Sequence, residues 1–250
     1  MWDVLRLRSV QTNDTARAIA WIWPAALVER LDPGRPIALF DIGASAGLNL
    51  IASELSIDWE RSDGRDLELS PLPSITTRVG FDLSPLDVLS DADASWLRAA
   101  MWPGQAERSA RLEAAIDAFR EASRGDAAPS LERATAAEIP ARLPNVGSSD
   151  ARAIAYQTIM RDYLSPEENQ RYEDGMMSWL AACEPAGALW MELEVTAEAR
   201  SGGLPVALSA HVLSRGEIRS LRLAECEPHP RVLEVDDAAL EELERLLSTN

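Results

Sequence analysis

The chain contains no lysine: all 24 of its positive charges are arginine, set against 41 acidic residues. That absence excludes a P-loop lysine, a pyridoxal-phosphate Schiff base and any lysine nucleophile. Cysteine is almost as scarce. Cys183 and Cys226 stand far apart with no CxxC spacing, so the sequence offers neither a disulfide framework nor a zinc site, and both read as small buried apolar residues. His211 and His229 are the only histidines, too few for a histidine-rich metal site or an HExxH helix. No apolar run reaches the ~20 residues that a bilayer-spanning helix needs, and residues 1–6 lack a signal-peptide core. A reducing cytoplasm is the expected compartment.

What is present narrows the reading further. A net charge of −17 and a pI near 4.5 repel phosphate backbones and anionic headgroups, so nucleic acid and membrane are excluded as expected partners and a small molecule is favoured. A chain of 250 residues is expected to form one α/β domain over 1–250. Its expected parts are a helical lead-in over 1–36, a parallel βα portion over 37–187 and antiparallel strands with a helix over 188–250.

Residues 16–31 pattern as a helix capped by Asn13 or Asp14 and stopped by Asp32-Pro33-Gly34. Residues 37–42 form a short apolar run closed by glycines, as in a strand buried on both faces of a parallel sheet. Helical patterning resumes over 46–55, while the polar stretch 56–77 reads as a loop or small hairpin. Further strands are expected at 77–82, 130–134 and 151–158, with helices over 97–124 and 166–183. After Gly187 strand follows strand at 189–195, 206–213, 218–224 and 231–235, which predicts an antiparallel edge, and an amphipathic helix closes the chain over 237–247.

The strongest chemical signal is Asp41-Ile42-Gly43-Ala44-Ser45-Ala46-Gly47-Leu48-Asn49. A strand that ends in an acid and turns through glycines into a helix allows the backbone to approach a ligand closely. The run lacks the middle glycine of a GxGxxG dinucleotide fingerprint, and its DxGxxxG spacing is instead that of a methyltransferase glycine loop. An ordinary tight strand-to-helix turn is the alternative. Asp82, closing the next strand, suits a ribose-binding carboxylate, with Glu60 as the competing candidate. Gln11, Thr12, Asn13 and Arg17 are dense in hydrogen-bonding groups ahead of the first strand, where they serve either as helix cap or as closure of a ligand site. Trp102, Gln105 and Arg108 form a second polar patch. Tyr156, Gln157, Asp162 and Tyr163 follow a strand whose carboxyl end faces substrate in such folds, and Tyr156 or Asp162 is the candidate general base.

These strings resemble, in order, the motifs of the bacterial family called domain of unknown function 2332. The resemblance rests on Gln11-Thr12-Asn13-Asp14 with Arg17, on 41–50, on 80–87, on Trp102-Pro103-Gly104-Gln105 with Arg108, on Tyr156-Gln157-Thr158 and on Pro228-His229-Pro230. It implies a Rossmann-like class I methyltransferase fold, with a mainly parallel seven-stranded sheet, an antiparallel C-terminal edge and helices on both faces. On that implication the cofactor is S-adenosylmethionine, held by Gln11, Asn13, Asp41, Gly43, Ala44, Ser45, Gly47, Asn49 and Asp82. The chain departs from the family in two ways. It begins a few residues before the QTN string, where relatives carry a long helical region, and an uncovered sheet face there would favour a homodimer. It also has Thr135 where an acidic residue touches adenine in methyltransferases. The functional expectation is a small-molecule methyltransferase. Its alternatives are a non-catalytic ligand-binding or regulatory protein on the same fold and an NAD-type oxidoreductase, which the missing glycine disfavours.

Overall fold

The computed structural model describes residues 14–101, 104–125, 127–147, 151–196 and 204–248. Gln11, Asn13 and Trp102 therefore lie outside the described residues. Asp14 caps a short 3₁₀ helix, Thr15–Ala18, its Oδ1 accepting from the Ala16 amide at 3.0 Å. The chain passes directly into α1 (Ile19–Leu31), which is buried all round from Ile19 to Val28 and is therefore a core helix, not an amphipathic one.

Among the described residues nine strands form one sheet: β1 (Ile37–Ile42), β2 (Glu60–Arg61), β3 (Ile75–Asp82), β4 (Ser130–Arg133), β5 (Arg152–Thr158), β6 (Ala188–Val195), β7 (Val206–Ser214), β8 (Glu217–Cys226) and β9 (Val232–Val235). Their order is β2-β9-β8-β7-β6-β5-β1-β3-β4. The β4-β3-β1-β5-β6 half is parallel throughout, and every residue of β1 is buried, as a strand covered on both faces requires. From β6 onward successive strands pair antiparallel with their sequence neighbours. The sheet thus has nine strands where seven were expected. The hairpins after Gly187 carry it out to β9, and the two-residue β2, from a stretch read as a loop or small hairpin, pairs parallel with β9 at the edge.

The remaining helices are α2 (Asp91–Ala99), α3 (Ala106–Ala122), α4 (Pro166–Ala182) and α5 (Asp237–Ser248). The single helix expected over 97–124 is two, with the helix-breaking pair Pro103-Gly104 between them. The helix expected after the glycine loop is a 3₁₀ helix, Leu48–Glu54. The start of α4 follows its sequence closely: Ser165 and Glu168 form a reciprocal capping box and Pro166 occupies the first turn.

Alternation along the strands sorts the core into two layers. Leu39, Tyr156, Leu189 and Met191 face α1 and α5 with Trp21 and Leu243, while Phe40, Ala155 and Trp190 face α4 with Tyr172 and Trp179. Each fully buried large apolar side chain contributes roughly 1.5–3 kcal/mol relative to exposure. A third cluster packs α2 and α3 on the Leu48–Glu54 helix and so backs the glycine loop from behind. Among the described residues no helix is long and apolar enough to cross a membrane.

Candidate functional site

The loop after β1 turns sharply. Gly43, Ser45 and Gly47 all have positive φ, at 79°, 53° and 68°. At Gly43 this conformation costs a side-chain-bearing residue energy, and a Cβ there would also meet Met160 Cγ at 2.7 Å. Gly80, on β3, serves a different need: a Cβ would meet Ala44 Cβ at 2.7 Å, so the missing side chain is what lets the loop lie against the sheet.

The loop's amides are engaged internally. Those of Gly43 and Ala44 donate to the Phe81 carbonyl at 2.8 and 3.0 Å, that of Ser45 to Asp82 Oδ2 at 2.8 Å, and that of Gly47 to the Ala44 carbonyl at 2.7 Å. A nest of free amides of the kind that cradles a pyrophosphate is therefore not formed by these four. Ser45 carries its side chain and positive φ where a dinucleotide fingerprint has its middle glycine. Asp82 is the clamp of this turn, because its second oxygen accepts from the Ser84 amide at 2.7 Å.

A cleft of about 310 Å³ opens at the carboxyl ends of the parallel strands. Gly43, Ser45 and Asp82 stand on one side, Arg17 and Tyr163 also line it, and Phe81, Leu83, Ala134, Ala136 and Ile139 supply an apolar wall. Thr135 lines it too, its hydroxyl donating to Glu138 Oε2 at 2.8 Å. Of the other residues singled out from sequence, Asp41, Ala44, Gly47 and Asn49 belong to the same loop but do not line the cleft. Glu60 lies on β2, at the far edge of the sheet from β1. Asp162 is exposed and Tyr156 fully buried, and neither lines the cleft. A larger groove of about 490 Å³ between α1 and α5 shares no lining residue with this one and is bordered by mutually paired Arg61, Arg65 and Asp237.

Behind the loop sits an unusual polar core. Asp41 is 1 % exposed, and its carboxyl is pushed up to about 7 by burial first; Tyr156 tempers the shift and the Asp82 charge adds to it. Tyr156 stands opposite Asp41 in the β1/β5 pairing. Asp41 Oδ2, the Tyr156 hydroxyl and Asn49 Oδ1 are all buried without a hydrogen-bond partner among the described residues. Orphaned buried polar atoms are costly, by about 1–3 kcal/mol each, and native structures rarely keep them without a reason.

Three strings far apart in sequence meet beside the cleft. Asp14 Oδ2 lies 2.7 Å from Nδ1 of His229 and 3.6 Å from Nε of Arg108, and Arg17 Nε donates to the Pro228 carbonyl at 3.0 Å. Burial opposes the Asp14 charge, but His229, the Ala16 amide and Arg108 together hold its carboxyl below the usual range. Gln105 accepts from Arg108 Nη1 at 2.8 Å and so orients it. His229, which the sequence offers only within the Pro228-His229-Pro230 string, ties the C-terminal loop to the start of the first helix.

Sequence reading missed a second network, at the carboxyl ends of β5 and β6. Gln157 is fully buried; its amide donates to Glu192 Oε1 at 3.0 Å and Glu194 Oε1 at 3.2 Å and its carbonyl accepts from Trp190 Nε1 at 3.0 Å and from the Tyr172 hydroxyl. Arg161 Nε donates to Glu192 Oε1 at 2.7 Å, and His211 lies 2.6 Å from Glu192 Oε2 while stacking on Trp190. Glu194 accepts from the Met160 amide at 3.0 Å and thereby fixes the loop that forms one wall of the cleft. Burial, the largest influence, pushes the Glu194 carboxyl up to about 7. The signal for this network was two acids, Glu192 and Glu194, spaced two apart in the otherwise apolar run of β6, where alternation turns both to one face.

Solved structures similar to this chain include three. One is the sugar N-methyltransferase KedS8 from Streptoalloteichus, at 15 % identity and a TM-score of 0.34, covering 88 % of this chain and 75 % of that one. A second is a SAM-dependent methyltransferase from Anabaena variabilis, at 12 % identity and 0.30, covering 77 % and 67 %. The third is a DhpI-SAM-HEP complex, at 13 % and 0.30, covering 92 % and 85 %. No curated protein matches the chain. Residues 1–235 match the model of the family described as "uncharacterized protein conserved in bacteria", DUF2332, and the chain belongs to that family.

Proposed function

We propose that the protein binds S-adenosylmethionine in the cleft at the carboxyl ends of β1, β3 and β5 and transfers its methyl group to a small molecule, on a class I methyltransferase-like arrangement of the sheet. The observation that carries this reading is the glycine loop itself, held by Asp82 on the same cleft as Gly43 and Ser45 and backed by three orphaned buried polar atoms. The internally engaged amides favour a nucleoside over a pyrophosphate ligand, because nothing in the turn offers an anion cradle. The apolar wall of Phe81, Ala134, Ala136 and Ile139 suits a flat base, and Asp82, which clamps the turn, puts a carboxylate on the same cleft for a ribose.

S-adenosylmethionine, when bound, supplies the electrophilic methyl. The chain's own contribution is to align an acceptor against it from the Thr158–Leu164 side, whose wall Glu194 fixes through the Met160 amide. The alternative reading, a non-catalytic ligand-binding protein, is favoured by one observation: the two candidate bases do not line the cleft. An acceptor that is already deprotonated, or one activated by Tyr163 or Glu168, separates the two readings.

Calorimetric titration with S-adenosylmethionine, S-adenosylhomocysteine and NAD tests the proposal. Binding of the first two and not of NAD is expected, and no binding at millimolar concentrations would sink it. Asp82→Ala is expected to lower affinity about ten- to a hundredfold, because it loses a ribose acceptor worth roughly 1.5–3 kcal/mol and releases the Ser45 and Ser84 amides. The variant must be checked for an unchanged thermal midpoint. A folded Asp82→Ala protein that binds as tightly as the parent removes Asp82 from the site.

A further inference from the structure

Among the described residues one cation, Arg17, lines the cleft. It is 7 % exposed. Among the described residues its guanidinium makes one hydrogen bond, from Nε to the Pro228 carbonyl at 3.0 Å, which fixes the group but leaves the donors of both terminal nitrogens unused. The acid three residues before it acts on it only through space, without an ion pair: Asp14 is taken by His229 at 2.7 Å, with Arg108 at 3.6 Å and Arg111 at 4.0 Å. A buried, unpaired charge destabilises a fold by several kcal/mol, so an anchored arginine facing a cavity calls for an anion.

We infer that Arg17 is the docking point for a carboxylate carried by the ligand of this cleft, an inference that rests on the cleft being the ligand site proposed above. The planar fork of a guanidinium matches a carboxylate through two parallel hydrogen bonds. A phosphate fits less well here. Of the described charged residues lining the cleft, Asp82 and Glu168 are acids and Arg17 is the one base, so a single guanidinium can offset one negative charge of a ligand and not two. Burial also pushes the Arg17 guanidinium down from its ordinary range, a cost that a bound carboxylate reverses. Two sources present this chemistry: the amino-acid end of the cofactor and a carboxylate on the methyl acceptor.

The test titrates S-adenosylhomocysteine, and 5′-methylthioadenosine, which lacks the amino-acid end, into the parent and into Arg17→Met. It also reads the thermal midpoints of both proteins in acetate and in inorganic phosphate. Arg17→Met is expected to weaken S-adenosylhomocysteine about ten- to a hundredfold and to leave 5′-methylthioadenosine within about twofold, which assigns the carboxylate to the cofactor. Unchanged binding of both nucleosides, with acetate raising the midpoint of the parent and not of the variant, assigns it to the acceptor. Equal weakening of both nucleosides, no difference between the proteins in any arm, or stabilisation by phosphate in place of acetate overturns the inference. If the parent binds neither nucleoside, the proposed cofactor fails while the acetate comparison still decides Arg17. Should Arg17→Met not fold, Arg17→Lys keeps the stem and charge but loses the fork, and is expected to show the same selective loss in smaller measure.

Discussion

Arg161→Met is expected to lower the unfolding free energy by about 3–5 kcal/mol, the cost typical of breaking a buried ion pair from one side. The arginine reaches Glu192 through Nε and Nη2, each at 2.7 Å, and Glu173 through Nη1 at 3.0 Å, and it lies over the Trp190 ring at 5.6 Å. Removing it leaves Glu192 facing a second, reluctant carboxylate across Gln157, in a layer closed by Tyr172 and Trp190. The loss is not that of a surface pair, for which less than about 1 kcal/mol is usual. The double variant Arg161→Met with Glu192→Met should recover most of the deficit, since two apolar side chains leave no stranded charge. Urea denaturation of the two single variants and the double variant measures this directly. A single-variant cost below about 1 kcal/mol, or a double variant no better than the worse single, would show that the network does not act as a unit.

How much of this was legible beforehand differs between fold and site. Elements defined by short-range patterning were readable: 37–42 was expected as a strand and β1 is Ile37–Ile42, and the capping and proline signals placed α4 within a residue of where it lies. The strand count was not, because it came from a resemblance and not from the chain's own hairpins. β2 has two residues and exists only through its pairing with β9, a contact across the sheet that no local pattern announces. The shortening of the post-loop helix to a 3₁₀ helix likewise depends on how α3 packs against it.

At the site, sequence located the loop and Asp82 but not what their atoms do. The glycines were expected to present amides to a ligand; the tertiary fold instead engages those amides with Phe81 and Asp82. In sequence Asp14 reads as a cap, Arg108 as part of a polar patch and His229 as the centre of Pro228-His229-Pro230, and their convergence is a property of topology alone. The β6 acids were passed over because a strand reading attends to what is apolar. Charge turned inward on a central strand is the rarer event and the more informative one.

The same polarity makes the stability of the protein fall as pH rises through neutrality. Asp41 moves from an ordinary 3.8 to about 7 on folding, and Glu194 from 4.5 to about 7, in both cases chiefly through burial. An acid whose folded pKa is raised binds its proton more tightly in the native state, so its stabilising effect is complete below about pH 4 and is lost as pH climbs through about 7. For Asp41 the difference corresponds to a limit on the order of 4 kcal/mol, which for a chain of this size shifts the thermal midpoint by roughly 10 °C. Asp41→Asn, with no carboxyl to ionise, is therefore expected to match the parent near pH 4 and to exceed it at pH 8. Scanning calorimetry at three pH values tests this. A parent midpoint that does not fall from pH 5 to pH 8, or an Asn variant with the same slope, would mean that the Asp41 carboxyl is already satisfied in the folded protein.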